Sequence, residues 1–268
     1  MNAIIINNLI PKISIITVNY NNLEGLKKTI ESVYNQTWQQ FEHIIIDGGS
    51  NDGSVAYIES RSQLFEYWIS EPDTGVYHAM NKGIAKASGE YLLFLNSGDH
   101  FYNNNVLELN QQEIKDRDII YFNLQVVEDF KMFIKEYPEV LSFSYFVKDT
   151  LPHPATFIAK RTFEKTNFYK EDFKILSDWK FFIDGICKYN LSYKKINVTL
   201  STFYIGGMSS NPSNRVLKEK EKQQILQGEY SAYFQDIEDV IIYKDIVTNF
   251  RKSRIIKGLV KLGFLNKF

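Results

Sequence analysis

Three aspartates stand where apolar runs end, and each is of a type that could bind an oxygen-rich ligand or move a proton. Asp47 opens the segment DGGSNDG (Asp47 to Gly53), Asp99 closes LNSGD (Leu95 to Asp99), and Asp178 lies in SDWKF (Ser177 to Phe181). An ionised Asp only accepts hydrogen bonds, so Asp47 could pair with the imide N–H of a pyrimidine. Mg²⁺ and Mn²⁺ prefer oxygen ligands, and Mg²⁺ commonly uses one or two carboxylates plus substrate phosphates, which makes a lone Asp99 sufficient beside a diphosphate. A carboxylate such as Asp178 can take the proton of a hydroxyl as that oxygen attacks. Each also has a plainer use. Asp47 could shape a turn in which Ser50 and Asp52 cap a helix, and Asp99 could be a turn residue after Gly98. Asp178 could sit in a first helical turn, where a negative charge gains about 0.3–1 kcal/mol.

The elements that must position these groups follow from hydrophobic spacing. Ile13 to Val18 reads as a buried strand, Asn19 to Asn22 as a polar turn, and Leu23 to Tyr34 as a helix with Leu26, Ile30 and Val33 on one face. His43 to Ile46, Phe65 to Ile69 and Tyr91 to Leu95 are the next strands, with a helix over Val76 to Ala87 that closes at Gly89. Strands alternating with helices imply parallel pairing and right-handed crossovers, a Rossmann-like half. Ligands bind beyond the carboxyl ends of such strands, where Asn19, Asp47, Glu71 and Asn96 to Asp99 fall. After Phe101 the regularity fades. Strands are expected over Asp118 to Val127, Lys131 to Lys135 and Phe157 to Ala159, with helices over Leu176 to Tyr189 and Arg215 to Gln227.

Composition narrows the function further. In 268 residues, 31 basic side chains balance 32 acidic ones, which argues against a general nucleic-acid binder. A hydrophobic content of 44% with 15% aromatics describes an ordered globular chain. Cys187 is the only cysteine, so no internal disulfide can form. The apolar Ile4 to Ile6 is short and follows no positive region, so no signal peptide is expected, and no stretch approaches the roughly 20 apolar residues of a membrane span. A cytoplasmic protein is the expectation. From Arg251 onward the charges are Arg251, Lys252, Arg254, Lys257, Lys261 and Lys267, with no acid. Ile255, Leu259 and Leu262 share one helix face there, so the tail reads either as a binder of anionic membrane surfaces at the inner face of the plasma membrane or as a packed helix with a solvated basic back.

The motifs of the first two paragraphs, together with Ile13 to Tyr20 and EPDTGVYHAMNKG (Glu71 to Gly83), occur in the order of a nucleotide-sugar site. The set resembles the family 2 glycosyltransferases, inverting enzymes of the GT-A fold that take sugar from a nucleotide diphosphate, over roughly Lys12 to Ser210. The resemblance implies an α/β fold with a Rossmann-like, mostly parallel sheet flanked by helices. Residues 1–210 would form the GT-A domain, 12–100 being the nucleotide-binding half and 101–210 the acceptor-side half, and 211–268 a helical appendage. It implies that Thr17, Asn19, Tyr20, Asp47 and Asn96 meet the nucleoside, that Asn81 and Lys82 face the diphosphate, that Asp99 holds Mg²⁺ or Mn²⁺, and that Asp178 is the base. Asn81 and Lys82 read equally as helix surface. Glu71 and Asp73 are candidates to bracket the sugar or to shape a turn, His153 to line the acceptor pocket or sit in a loop. Gly207 and Ser209 belong to a loop that could close on the donor or be an ordinary turn. The sequence departs from the family at Asn96, which stands where a second aspartate is usual and brings no charge. A UDP-sugar is the expected donor, and a glycan or lipid-linked hydroxyl the expected acceptor, in polysaccharide biosynthesis. A sugar nucleotidyltransferase would carry an early Gly-rich loop with Arg and Lys, which Leu9 to Asn22 lacks, and a dehydrogenase would carry GxGxxG after its first strand. A non-catalytic nucleotide-sugar or glycan binder would need neither Asp99 nor Asp178.

Overall fold

The computed structural model describes residues 13–128, 131–207 and 210–266; Ile4 to Ile6, Lys12, Met208, Ser209 and Lys267 lie outside them. β1 (Ile13–Asn19) is buried at every position, as a β-branched run flanked by strands on both sides must be. α1 (Leu23–Tyr34) turns Leu26, Thr29, Ile30 and Val33 inward and starts at Asn22, whose side chain accepts from the Gly25 amide at 3.2 Å. β2 (Phe41–Asp47), α2 (Ser54–Glu59), β3 (Tyr67–Ser70), α3 (Val76–Lys86) and β4 (Tyr91–Phe94) complete the alternation. Leu26, Ile30, Ile45, Ile58 and Phe65 form one core cluster, so α1 and α2 cover the same face of β2. On α3, Gly83 lies so close to β1 that a Cβ there would come within 2.5 Å of Ile16 Cγ2.

The second part contains β5 (His100–Phe101), α4 (Val106–Asn110), β6 (Ile119–Glu128), β7 (Lys131–Lys135), α5 (Phe143–Lys148), β8 (Thr156–Ala159), α6 (Thr162–Thr166), α7 (Ser177–Cys187) and β9 (Tyr193–Tyr204). The sheet runs β3-β2-β1-β4-β8-β6-β9-β5, with β7 paired to β6. β1 to β4 pair in parallel, β8 runs antiparallel to both β4 and β6, and β9 is parallel to β6. The long strand β9 escapes a period-two reading because its register against β6 jumps from Phe122↔Ile196 to Asn123↔Thr199. That irregularity breaks the inward–outward alternation on which strand recognition relies. The other boundaries differ from the expected ones by a residue or two at the ends.

Two compact units are present, Met1–Lys218 and Glu219–Phe268, so the division falls inside α8 (Arg215–Glu229). The second unit continues with α9 (Ser231–Lys252) and α10 (Arg254–Lys261). Along α9, Val240, Ile242, Tyr243, Ile246 and Phe250 are exposed, as are Ile255, Leu262 and Phe264 beyond it. Among the described residues no helix is long and apolar enough to cross a membrane.

Candidate functional site

The carboxyl ends of β1, β2 and β3 converge on Asp47, whose side chain is fully buried. Its Oδ1 accepts from Asn19 Nδ2 at 2.7 Å and Ser50 Oγ at 2.6 Å. Its Oδ2 accepts from the amides of Ser50 at 2.9 Å and Gly49 at 3.2 Å and from Ser70 Oγ at 2.6 Å. Burial alone would raise the pKa of this carboxyl, but the bonds from Ser50, Ser70 and Asn19 outweigh it and hold the group below its ordinary value. Both oxygens of Asp47, expected to pair with a nucleobase, accept from within the protein in this structure. Thr17, expected beside the nucleoside, also turns inward. It is fully buried and donates to the Leu95 carbonyl at 2.7 Å, with His43 Nε2 2.9 Å from the same hydroxyl. Asn19 spends its amide on Asp47 and Ser50. Tyr20, by contrast, is 67% exposed. Its ring lies over Gly48, where a Cβ would sit 3.2 Å from Tyr20 Cδ2 and 3.4 Å from Asp73 Oδ2.

The loop from β3 to α3 forms the next wall. The Glu71 amide donates to the Asp47 carbonyl at 3.0 Å. Lys82 Nζ lies 2.7 Å from Glu71 Oε1 and 2.6 Å from Asp73 Oδ1, and His78 Nδ1 lies 3.1 Å from that same oxygen. Burial opposes the charge on Lys82, yet bonds to Asp73 and Glu71 raise its pKa above the usual value. Glu71 and Asp73 are thus tied to a cation, and Lys82 is not free to meet a diphosphate in this conformation. Asn81 departs further from expectation. It donates to the Tyr169 carbonyl and accepts from the Tyr169 amide, at 2.9 and 3.0 Å, fastening α3 to the loop after α6.

Asp99 follows β4 in a loop clamped to α1. The Gly98 amide donates to Thr29 Oγ1 at 3.0 Å, and Thr29 Oγ1 donates to the Asp99 carbonyl at 2.6 Å. Gly98 takes φ 106°, a left-handed geometry that favours glycine. The Asp99 carboxylate is buried, has no hydrogen-bond or ion-pair partner among the described residues, and is pushed up to about 8 by burial. An acid left without a donor in such a place is suited to a cation. Asn96 Oδ1 is also buried without a donor. Beside them Lys28 donates to the Tyr204 hydroxyl with its Nζ 3.8 Å over that ring, and His100 Nε2 lies 3.2 Å from the same hydroxyl. Neither Lys28 nor Tyr204 stands out in the sequence, because α1 and the end of β9 meet only in the folded chain.

Asp178 occupies the first turn of α7, its side chain 23% exposed. Oδ1 accepts from the Tyr77 hydroxyl at 2.6 Å, and Oδ2 lies 3.9 Å from His153 Nδ1. His153 is buried, its ring 4.5 Å from that of Phe94 and its Nε2 2.9 Å from the Tyr169 hydroxyl. Burial favours neutral His153, against the pull of Asp178. Phe94 ends β4, so the His153 ring links Asp178 to the strand that leads to Asp99. Phe163, Tyr169, Phe181 and Phe182 pack around this point as an aromatic floor. The spacing of GVYHAMNKG marked the segment, but not Tyr77 within it. The Gly207 carbonyl accepts from the Ser210 amide at 3.1 Å, and Ser209 is outside the described residues.

A parallel sheet with polar groups at its carboxyl rim, extended by antiparallel and parallel strands and flanked by helices, is the GT-A architecture of glycosyltransferases. Similar solved structures share it. Staphylococcus aureus TarS, residues 1–349, superposes with a TM-score of 0.60 at 17% identity, covering 72% of this chain and 60% of that one. A mannosyltransferase of Pyrobaculum calidifontis, in complex with GDP-Man and Mn²⁺, gives 0.58 at 14% identity, covering 83% and 64%. The family model for glycosyl transferase family 2 matches residues 14–189, and the chain belongs to that family. An uncharacterised glycosyltransferase of Mycobacterium tuberculosis, strain H37Rv, is 36% identical over 178 residues, 65% of this chain and 68% of that protein. A PGL/p-HBAD biosynthesis glycosyltransferase of Mycobacterium bovis is 29% identical over 209 residues, 75% and 80%.

The Asp47 geometry has a measurable consequence. Its carboxyl is held below the ordinary 3.8, so the ionised form stabilises the fold above that pH, and this contribution fades as pH falls through the lower folded value. Asp47→Asn should lower the unfolding free energy by about 1–3 kcal/mol at neutral pH. In denaturant titrations the gap between the two proteins should close on acidification; equal stabilities at pH 7 would contradict the arrangement.

Proposed function

We propose that the protein is an inverting, metal-dependent glycosyltransferase that moves a sugar from a nucleotide diphosphate, a UDP-sugar first among candidates, to a hydroxyl of a glycan or lipid-linked acceptor. Surface polysaccharide or oligosaccharide assembly at the cytoplasmic face of a membrane is its setting. The observation that carries this reading is the contrast between two carboxylates on linked elements. Asp99 is buried with no partner among the described residues, as a metal ligand is before its ion arrives. Asp178 has one oxygen held and the other open, as a base requires. Similar structures support the donor class: TarS was solved with UDP and with UDP-GlcNAc, and the Pyrobaculum enzyme with GDP-Man.

Asp99 fits a divalent ion in its donor type, and an ion there would take the place of the proton that burial favours on the carboxyl. Among the described residues no group of three or more His, Cys, Asp or Glu side chains could hold an ion unaided, so diphosphate oxygens would complete the shell. Bound Mg²⁺ or Mn²⁺ supplies counter-charge for the departing diphosphate. The exposed Tyr20 ring over Gly48 offers a flat face to the base, beside Thr17 and Asp47. Asp178 Oδ2 takes the proton of the acceptor hydroxyl while its oxygen forms the new bond to the anomeric carbon. The leaving nucleotide keeps the electrons of the broken bond. A single displacement of this kind inverts the anomeric configuration.

A screen of nucleotide sugars for metal-dependent thermal stabilisation identifies the donor, since a ligand that binds only the folded state stabilises it in proportion to log concentration. Asp99→Asn should weaken UDP binding in calorimetry with Mn²⁺ or Mg²⁺ and change little without metal; equal metal-dependent affinity would remove Asp99 from this role. Asp178→Asn should cut turnover by about 10²–10⁴-fold with donor affinity nearly unchanged. Near-parental turnover, or a product NMR spectrum showing retained configuration, would overturn the mechanism.

The tail supports the membrane setting. Exposed Ile255, Leu262 and Phe264 accompany Arg251, Lys252, Arg254, Lys257 and Lys261 with no acidic residue between. Deleting residues 251–268 should reduce binding to phosphatidylserine-containing vesicles while leaving turnover of a soluble acceptor analogue. A full-length chain that ignores such vesicles at low salt would favour the packed-helix alternative.

A further inference from the structure

The geometry points to Tyr77 as a positioning residue for Asp178, its single hydroxyl proton turning between two acceptors so that the carboxyl group keeps one orientation before and after it takes a proton. This rests on Asp178 being the base. Tyr77 Oη lies 2.6 Å from Asp178 Oδ1 and also 2.6 Å from the Ile175 carbonyl oxygen. One hydroxyl hydrogen cannot serve both acceptors at full strength. While Asp178 is ionised, the charged oxygen is the stronger acceptor and draws the hydrogen. When Oδ2 has taken the acceptor's proton, the neutral carboxyl accepts more weakly than an amide carbonyl. The hydrogen then turns to the Ile175 carbonyl, two residues before α7. No bond is made or broken at Tyr77. Its proton changes partner, and the phenol stays neutral because burial, and then Asp178, raise its pKa far above the ordinary value.

The arrangement also selects the working oxygen. Tyr77 covers Oδ1, so Oδ2 is left to face the acceptor. Among the described residues the titratable groups shown to interact with it are Tyr77 from α3, His153 from the turn before β8 and Tyr169 from the loop after α6. Burial holds Tyr169 protonated and favours neutral His153, so neither adds a charge at working pH.

Removing the hydroxyl takes away a hydrogen bond that is stronger to the ionised carboxylate than to the neutral acid. In full-length Tyr77→Phe the Asp178 carboxyl should therefore titrate about one pH unit higher than in the parent. Carboxyl ¹³C NMR of aspartate-labelled protein reads this directly, with the Asp178 signal identified by its loss in Asp178→Asn. The acid limb of the kcat/KM profile, followed by UDP release from the UDP-sugar with the largest thermal shift, should move with it. Should Tyr77→Phe fold poorly, site-specific 3,5-difluorotyrosine at position 77 keeps the shape and donates more strongly, so the titration should shift downward. An Asp178 titration unmoved in the folded variant overturns the inference. Near-parental turnover of Asp178→Asn, with the titration shifted, instead overturns the assignment of the base and leaves the Tyr77 contact standing.

Discussion

A buried carboxylate ties the open end of the sheet together, and the placement of the whole site depends on it. Asp47 gathers Asn19 from β1, the amides and hydroxyl of the following turn, and Ser70 from β3. Taking a charge out of water is costly, and a carboxylate tolerates it only when donors fill its lone pairs. That demand fixes the three strand ends in one register. The backbone repeats the constraint: Gly48 donates to the Asn19 carbonyl and Glu71 to that of Asp47, at 2.9 and 3.0 Å. The loop carrying Glu71 and Asp73 thus leaves β3 in a set direction, and Lys82 is drawn to both acids.

The environments of Asp99 and Asp178 differ in a way that suits different work. Asp99 is enclosed without donors among the described residues, so burial favours its protonated form and only a cation would make the ionised form favourable there. Asp178 stands at the start of a helix, where the exposed amides favour negative charge, and one of its oxygens already has a phenolic donor. The aromatic floor of Phe94, His153, Tyr169 and Phe181 excludes water from beneath it and makes the hydrogen bonds there stronger. The two carboxylates come from chain segments some eighty residues apart, and the Phe94–His153 ring contact is the bridge between their elements.

The first hundred residues are legible from pattern because their pairings are local: each strand is followed by a helix that returns to the neighbouring edge. β9 is not legible. Its partner β6 precedes it by about seventy residues, and the register break at Asn123 removes the alternation that would have marked it. Asn81 and Thr17 show a related limit. Polar residues in a binding motif look like ligand contacts until the fold reveals which of them satisfy buried backbone and side-chain groups of the protein itself.

The sequence by itself determined the family, the alternating α/β half with its polar rim, and the two carboxylates on which the chemistry is proposed to turn. Those features reside in residue type and local spacing, which survive without coordinates. The tertiary structure decided which polar side chains turn inward, as Asp47 and Thr17 do, and which stay open, as Tyr20 does. It also decided that Asp99 lacks a partner among the described residues and that Tyr77 meets Asp178. Such facts depend on contacts between segments distant in the chain, and hydrogen-bond satisfaction is a property of the assembled neighbourhood, which no short run of residues carries.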